Sequence, residues 1–439
     1  MLNYFYCENP YRKDPGGATG YLSLLYDGMN RLGSFRSASG IEHGFLFSPV
    51  PGAYQPAPQI REMGMYPFLD SYSPTTNNMD FINFEMERHF YSVIPPEQSM
   101  RVRLSRLASI HAHGPYCFLP VCNFLRICGI EGDVIKILTP HNPVKTTYEE
   151  QELVKGLVAE KNMKDFMALH EYRDEQAFAR ADALVFPCEE SLDGYYATWL
   201  GFKDIVKSKR LYFAPTGVAE RPVVIPGKTI RKQYGIPETA RVILFIGRFM
   251  QVRGFDLLVE AAKLILQTGR QDVYFMAVGK KEDSPPQINS PQWIEVDHVS
   301  NPVDYMAMAD ACLGLGNFHF FDISMLEALS AGTPYIGTEA SGHRYMKGRS
   351  EGFFCFTPGS VDSLAVTLLK FLKATPEDLK KMRKANRELY QKEFTSEQFA
   401  QRYLDMFETI YDDFGISASP DRKGIKNPLA DKIRPTLME

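Results

Sequence analysis

Short apolar runs alternate along this chain with stretches whose apolar residues recur at helical spacing. The clearest case begins at Ala311–Leu315, a run short enough for a buried strand, and continues through Ser324–Gly332 with a helical pattern. Pro334 cannot continue a helix, and the letters YIGT that follow it predict a second strand. This order predicts a β-α-β unit of a parallel sheet, and ligands bind such sheets at the carboxyl ends of the strands.

The same alternation is present from the start of the chain. The letters LNYFYC at 2–7 predict a first strand, and the apolar positions of Ala18–Leu32 predict a helix after it. The run RVILFI at 241–246 is continuous and bounded by charge and glycine, as expected of a fully buried parallel strand. The sequence therefore predicts an α/β protein with doubly wound parallel sheets.

The loop Phe318–Ser324 precedes the predicted helix that contains Glu327. N–H groups at a helix start lack partners within the helix, and the helix dipole is positive there, so the loop could bind an anion. Asp322 or Ser324, which flank Ile323, could cap the helix. An ordinary capped helix is the alternative interpretation of the same residues.

Two other strand ends carry candidate ligand-binding residues. Gly16 and Gly17 form a turn before a predicted helix, where phosphate or sugar could approach the backbone closely, although a plain turn explains them as well. His111 and His113 end a predicted strand with both side chains on one face. We expect His113 to face a ligand. One alternative is that the two histidines bind a metal, although no third ligand is spaced near them, and the other is that His113 is a core histidine.

Two arginines lie in the loop after the strand at 241–246. Gly247-Arg248 is followed by a short run and then by Arg253-Gly254, just before the helical pattern FDLLVEAAKLI. Guanidinium groups make bidentate contacts with phosphate and stabilise negative charge on a leaving diphosphate. Surface arginines beside an ordinary helix are the alternative interpretation.

Length, composition and charge exclude several classes of protein. A chain of 439 residues with 44% hydrophobic and 23% charged residues predicts a folded globular protein of two domains. The net charge of -4 predicts no general affinity for nucleic acid. No apolar run approaches the roughly 20 residues of a membrane helix, and residues 1–14 lack a signal-peptide pattern, so we expect a cytoplasmic protein. Seven cysteines, an odd number, argue against a disulfide framework.

The stretch LEALSAGTPYIGT at 326–338 resembles a motif of the retaining glycosyltransferases of the GT-B fold, the group 1 or family 4-like enzymes that use nucleotide sugars. The resemblance implies two Rossmann-like doubly wound domains facing a central cleft. It implies an acceptor-side domain at 1–222 and a nucleotide-sugar-binding domain at 223–402. Residues 403–439 would form a helix that crosses back to the first domain, followed by a tail.

The resemblance also implies roles for individual residues. In the family, the carboxylate at the position of Glu327 binds the ribose hydroxyls, and a Gly-Gly loop faces the donor diphosphate. The residues implied for donor binding are Gly16, Gly17, Arg248, Arg253, His319, Asp322, Ile323, Ser324 and Glu327, and those implied for catalysis are His113, Arg248 and Arg253. The sequence departs from the family at three positions. His319 stands where the family has an acidic residue that helps hold the sugar. Asp322 stands where the family loop has glycine, and Arg253 stands where the family has lysine.

The expected activity is transfer of a sugar, with retention, from a nucleotide-diphosphate sugar to a hydroxyl acceptor. The acceptor would be a glycan, a lipid-linked molecule or another hydroxyl compound, and a peripheral membrane contact is left open. We expect no cofactor and no metal, because arginines and helix starts supply the positive charge and no Asp-x-Asp cluster is present. An epimerase or hydrolase on the same fold and a non-catalytic glycan- or nucleotide-binding protein are the alternatives.

Overall fold

A computed structural model describes residues 1–9, 11, 17–48, 54–280, 288–416 and 427. The chain forms two compact units. The first contains 1–186, 194–214 and the chain from residue 400 onward, and the second contains 187–193 and 215–399. The domain limits expected from the sequence, at 222/223 and 402/403, stay predictions.

The main sheet of the first unit is parallel throughout, as the α/β pattern predicts. Its described strands have the order β2-β1-β5-β6-β7-β8. A short antiparallel pair, β3 with β4, lies outside this sheet. The strands are β1 (Leu2–Cys7), β2 (Glu42–Phe47), β3 (Gln55–Pro56), β4 (Ser92–Val93), β5 (Leu107–His113), β6 (Ile135–Thr139), β7 (Ala183–Phe186) and β8 (Arg210–Phe213).

The strands of the first unit are connected by helices of very different lengths. Short 3-10 turns occur at Leu104–Arg106, Glu131–Asp133 and Glu189–Leu192, the last of which belongs to the second unit. The α-helices are α1 (Gly17–Leu32), α2 (Pro58–Glu62), α3 (Pro67–Asp70), α4 (Met79–His89), α5 (Pro96–Ser99), α6 (Pro115–Ile127), α7 (Thr146–Leu153), α8 (Glu160–Arg180), α9 (Asp193–Thr198) and α10 (Phe202–Lys207).

The second unit contains another fully parallel sheet, with the order β11-β10-β9-β12-β13-β14 among its described strands. Continuous apolar runs form these strands because helices cover both faces of such a sheet. The strands are β9 (Arg241–Ile246), β10 (Val273–Val278), β11 (Trp293–Val296), β12 (Ala311–Gly314), β13 (Tyr335–Thr338) and β14 (Phe353–Phe356).

The helices after residue 226 confirm the predicted β-α-β unit, since α14 lies between β12 and β13. A 3-10 turn at Gln251–Arg253 precedes α12, and a π-helical turn at Tyr390–Phe394 precedes α18. The α-helices are α11 (Gly227–Gln233), α12 (Phe255–Leu266), α13 (Pro302–Met308), α14 (Ile323–Ser330), α15 (Ser341–Met346), α16 (Val361–Phe371), α17 (Pro376–Leu389) and α18 (Ser396–Asp413).

From residue 400 onward, α18 belongs to the first unit. Its aromatic side chains pack on the first sheet: the Phe407 ring lies 4.8 Å from the His43 ring, and the Tyr411 hydroxyl lies 2.7 Å from the Ser109 hydroxyl. The Tyr403 hydroxyl is hydrogen-bonded to Tyr21 of α1 at 2.8 Å. Helix α18 therefore completes the core of the unit that contains β1.

The segment 47–98 is rich in proline and aromatic residues, which predicts long loops whose aromatic rings either stack on sugar or pack internally. The structure describes it except for residues 49–53, and it contains α2, α3, α4 and most of α5. Tyr66 is buried and donates a hydrogen bond to Asn123, and Tyr72 donates one to Asp165 of α8. Tyr66 and Tyr72 are thus used in internal packing, whereas Phe68 is exposed.

Among the described residues, no helix has both the length and the apolar character that crossing a membrane requires. All seven cysteines are free thiols. Cys117 and Cys122 are buried, as their apolar neighbours predict, and Cys128 is half-buried.

Candidate functional site

The strand order of the second sheet places its ligand-binding edge between β9 and β12. The order reverses at these two neighbours, and parallel sheets of this kind bind ligands outside the carboxyl ends of the strands at such a point. The loop after β9 contains Arg248 and Arg253, and the loop after β12 contains His319 and Asp322. The structure therefore brings together two loops that the sequence identified separately.

Backbone packing at this edge requires glycine. Gly279, which follows β10, has φ of +151°, and a Cβ atom there would lie 2.0 Å from the carbonyl oxygen of Gly247. Gly254, at the start of α12, has φ of +74°, and a Cβ atom there would lie 2.4 Å from the carbonyl oxygen of Leu315. Both glycines let neighbouring loops approach more closely than any side chain would permit.

The arginine loop carries positive charge that the protein does not neutralise in full. Arg253 ends the 3-10 turn before α12 and is half-buried. Within the described parts of the chain, its guanidinium has no hydrogen-bond or ion-pair partner. Arg248, which directly follows Gly247, is also half-buried. Arg253, a half-buried cation with no carboxylate partner in the described chain, is suited to an anionic ligand.

Glu327 is the acidic residue of the candidate site, and it lies in the second turn of α14. The residue is only 6% exposed, and burial raises the pKa of its carboxyl, although Arg221 acts in the opposite direction. The Arg221 Nε atom lies 3.6 Å from Glu327 Oε1. Because this carboxylate accepts no hydrogen bond from the described residues, its oxygens can accept hydrogen bonds from a ligand.

His319 and Asp322 form a cluster with His343, which the sequence analysis did not single out. His319 Nδ1 lies 2.7 Å from Asp322 Oδ2, and His343 Nε2 lies 3.2 Å from the same oxygen. Burial by itself would raise the pKa of Asp322, but its contacts with His319 and His343 hold that pKa well below its ordinary value. His319 and His343 are both buried, with their ring centroids 4.0 Å apart.

The side-chain capping expected at the start of α14 does not occur. Asp322 occupies the N-cap position of α14, but its side chain makes no capping hydrogen bond. Ile323 and Ser324 are the first residues of the helix, so Ser324 does not occupy the cap position either. The prediction that the side chain of Asp322 or Ser324 caps this helix is therefore wrong, because the Asp322 carboxylate contacts the two histidines instead. The backbone N–H groups of the first turn are left without a side-chain acceptor from the cap residue.

The first unit has its own reversal of strand order, between β1 and β5. Gly17 begins α1 with φ of +57°, and Gly16 lies outside the described residues. His113 ends β5 and is fully buried, with its Nδ1 atom 2.7 Å from His141 Nε2. Burial lowers the pKa of His113 well below its ordinary value, and His111 and His141 lower it further. The ring is therefore neutral at physiological pH.

His141 follows β6, and the structure makes it the partner of His113. It has φ of +64°, a left-handed conformation that is uncommon outside glycine. Its ring also lies edge-on to Tyr21, with centroids 4.7 Å apart. His111 points instead to the Thr139 hydroxyl, at 2.8 Å. The catalytic role expected for His113 stays a prediction.

Two groups of side chains within the described part of the chain have donor atoms close enough to hold a metal ion. One is His319, Asp322 and His343 in the second unit, and the other is Glu85, His89 and His170 in the first. In each group the ligand atoms lie within 4.8 Å of one another. Neither group was predicted, because each joins residues from different elements.

Comparison with known proteins shows which family the second unit resembles. Residues 227–389 match the model of the glycosyl transferases group 1 family. This part of the chain is therefore similar to the group 1 glycosyltransferases. The matched segment contains Arg248, Arg253, His319, Asp322 and Glu327, so the candidate site of the second unit lies within this segment.

Individual relatives agree with this assignment. The chain is 28% identical over 197 residues to N-acetyl-alpha-D-glucosaminyl L-malate synthase of Bacillus anthracis. That match covers 42% of this chain and about half of the relative, 48% of its length.

Solved structures of glycosyltransferases share the fold over nearly the whole chain. Sucrose-phosphate synthase from Thermosynechococcus elongatus has a TM-score of 0.58 at 16% identity, covering 94% of this chain and 99% of that one. HepE from Anabaena, solved in complex with UDP, has a TM-score of 0.55 at 12% identity, covering 93% of this chain and 99% of that one. The chain thus has the GT-B fold, with one Rossmann-like parallel sheet in each unit.

Proposed function

We propose that this protein is a retaining glycosyltransferase that moves a sugar from a nucleotide-diphosphate sugar to a hydroxyl acceptor. The observation that carries the proposal is that the buried Glu327 carboxylate, within the segment that matches the group 1 family, accepts no hydrogen bond from the described residues. Such a carboxylate is a strong acceptor for the paired hydroxyls of a ribose. Retention is proposed from the family resemblance.

The arginine loop supplies the electrostatic part of the proposed reaction. Negative charge grows on the diphosphate as its bond to the sugar breaks, and fixed cations stabilise that charge most when they are already in place. Arg253 is half-buried and has no carboxylate partner among the described residues, so it needs no other interaction to break before it binds phosphate. We assign Arg248 and Arg253 to the diphosphate.

The compounds bound by relatives support a nucleotide sugar as the donor. HepE from Anabaena has been solved with UDP, with UDP and glucose, and with UDP-glucose. The name of the Bacillus anthracis relative describes an N-acetylglucosaminyl group joined to L-malate, a hydroxy acid. A uridine diphosphate sugar is therefore the first donor to test, with a glycan, lipid-linked or small hydroxyl compound as the acceptor. We also propose that the reaction requires no cofactor or metal and that the protein acts in the cytoplasm.

The proposal is tested first by binding. Melting temperature is measured with and without millimolar nucleoside diphosphates and their sugars, because a ligand that binds the folded state raises it. We expect at least one nucleoside diphosphate, UDP first, to stabilise the protein. A flat response to every nucleotide would contradict the proposed function.

Donor turnover with and without acceptors then distinguishes the possible activities. A transferase consumes donor mainly when a hydroxyl acceptor is present and gives a product with the anomeric configuration of the donor. Turnover to free sugar or to an isomeric donor without acceptor would identify a hydrolase or an epimerase. Binding without turnover in a broad acceptor panel would identify a binding protein.

A further inference from the structure

A buried group of side chains that could hold a metal ion lies in the first unit, on helices that carry none of the residues assigned to sugar transfer. Glu85 and His89 are one turn apart on α4, and His170 lies in the middle of α8. The three residues are 6%, 4% and 4% exposed, respectively. Two adjacent helices thus direct a carboxylate and two imidazoles toward one buried point.

The distances within this group are close to those of a metal site. Glu85 Oε2 lies 2.7 Å from His170 Nε2 and 3.3 Å from His89 Nε2. Ligand atoms around a tetrahedral zinc ion, each about 2.0 to 2.1 Å from the metal, are about 3.3 Å from one another. All three ligand atoms lie within 4.8 Å of one another, so small side-chain rotations would complete the geometry.

The surroundings of His170 match those of a metal-bound histidine. Its other ring nitrogen, Nδ1, lies 2.8 Å from Glu150 Oε2. Histidines that bind metal through one nitrogen usually donate the other N–H to a carboxylate, which fixes the tautomer and orients the ring. Arg173, itself fully buried, donates to both oxygens of Glu150 at 3.2 and 2.7 Å and so fixes this carboxylate. Its Nη1 atom also lies 3.0 Å from His170 Nδ1.

His89 provides an independent indication of a missing ligand. It is buried, yet neither its Nδ1 atom nor its Nε2 atom has a hydrogen-bond partner among the described residues, and Nε2 lies 3.3 Å from Glu85 Oε2. A buried polar group without a partner costs free energy, and such a group in a native protein calls for an explanation. A cation held between His89, His170 and Glu85 would use the lone pair of Nε2.

The fixed charges around the cluster sum to a net negative charge that a divalent cation would balance. Three carboxylates, Glu85, Glu150 and Asp174, lie in the connected network, and Arg173 is the permanent cation that contacts it within the described chain. Buried charges are normally paired, because an unpaired charge is costly away from water. Two negative charges remain after Arg173 is counted, and a divalent ion would balance both.

We propose that Glu85, His89 and His170 bind a divalent transition-metal ion, with zinc the ion of choice, and that this ion fixes α4 to α8. Nitrogen and carboxylate ligands in this combination suit zinc and its neighbours in the first transition row. The ion would replace the proton that otherwise lies between His170 and Glu85. Its role is structural and does not depend on the proposed sugar transfer.

The first experiment uses the full-length protein without substitutions. The metal is removed with a chelator, zinc is restored, and the metal content is measured after dialysis. We expect about one zinc per chain at the site and a melting temperature several degrees higher than that of the chelated protein. Co²⁺ in place of zinc should give visible absorption bands typical of nitrogen and oxygen ligands at low coordination number. Zinc content near zero, no absorption with Co²⁺ and no effect of zinc on melting would together overturn the proposal.

Matched histidine variants assign the metal to its site. His89→Asn should lose the zinc and the Co²⁺ absorption. His298→Asn, at an exposed histidine, should keep both, and so should His343→Asn, which alters the other metal-capable cluster. Metal retained in His89→Asn, or lost only in His343→Asn, would contradict the assignment. If His89→Asn does not fold, Glu150→Gln replaces it, since weaker hydrogen bonding to His170 should lower zinc affinity roughly 10- to 100-fold while leaving the three ligands in place.

Discussion

The Arg221 guanidinium approaches the buried carboxylate of Glu327, with Nε and Oε1 3.6 Å apart. The distance is too long for a hydrogen bond, so Arg221 lowers the electrostatic cost of burying Glu327 without using its acceptor capacity. Glu327 is thereby kept available for a ligand. This relationship makes the carboxylate a direct test of the proposed donor site.

Glu327→Gln should weaken donor binding more than it changes folding. The amide retains the shape of the side chain but loses the charge, so its hydrogen bonds to ribose hydroxyls should be weaker by about 1 to 2 kcal/mol. That loss corresponds to a rise in Kd of roughly fivefold to thirtyfold, measured by calorimetric titration with the nucleoside diphosphate that stabilises the protein. Glu351→Gln, at an exposed position of the same unit, is the control. Unchanged affinity in Glu327→Gln would remove Glu327 from the site.

Arg253→Ala should lower turnover far more than stability. Because the half-buried guanidinium has no hydrogen-bond or ion-pair partner in the described chain, removing it should cost little stability, whereas a leaving diphosphate loses a cation. The expected loss is about 2 to 4 kcal/mol of transition-state stabilisation, read from kcat/KM. Arg253→Lys should retain part of the activity, and Arg36→Ala, at an exposed arginine, should retain all of it. Activity of Arg253→Ala within about threefold of the parent would identify Arg253 as a surface charge.

His319→Glu restores the residue type of the family and tests what the histidine does. His319 is 4% exposed and paired with Asp322, so a glutamate there would place two carboxylates in contact away from water. We expect stability to fall by about 2 to 4 kcal/mol, with the preference among donors unchanged.

His319→Gln, which places no second carboxylate beside Asp322, should be affected less than His319→Glu. Melting temperature and donor profile are measured on both variants. A changed donor preference in His319→Glu with little loss of stability would instead assign His319 to the sugar.

Stability should fall in mild acid because of His43 in the first unit. Burial lowers the pKa of this histidine to about 3, although Glu408 acts in the opposite direction. The unfolded chain takes up a proton at this residue below a pH of about 6.5, and the folded chain does not until about pH 3, so stability is lost as the pH falls through that window. The contribution of one such group is about 1 kcal/mol per pH unit.

Chemical unfolding at pH 7, 6 and 5 measures this contribution. His43→Phe should show a shallower loss of stability with falling pH than the parent, because it retains the ring that packs against Phe5 and Phe407 without a group that titrates. His298→Phe, at an exposed histidine, should show the slope of the parent. Equal slopes in His43→Phe and the parent would contradict the prediction.

The sequence by itself determined the class of fold and the local elements of the donor site. Continuous apolar runs and helical spacing predict parallel strands and helices because strand and helix geometry impose those periods on whichever residues are buried. The predicted strand, helix and strand around Glu327 correspond to β12, α14 and β13. Arg248 and Arg253 were found in the same way, since a loop between a strand and a helix is defined by local sequence.

Only the tertiary structure decided which side chains meet. Arg221 with Glu327, His141 with His113, and His343 with His319 and Asp322 join residues from different elements. The same is true of Glu85 with His170, which links two helices. Such pairs depend on strand order and on how side chains fill a close-packed interior, and neither leaves a period in the sequence. The failed cap at Asp322 has the same cause, because two histidines, one of them remote in sequence, compete successfully for a carboxylate that local rules assign to the helix.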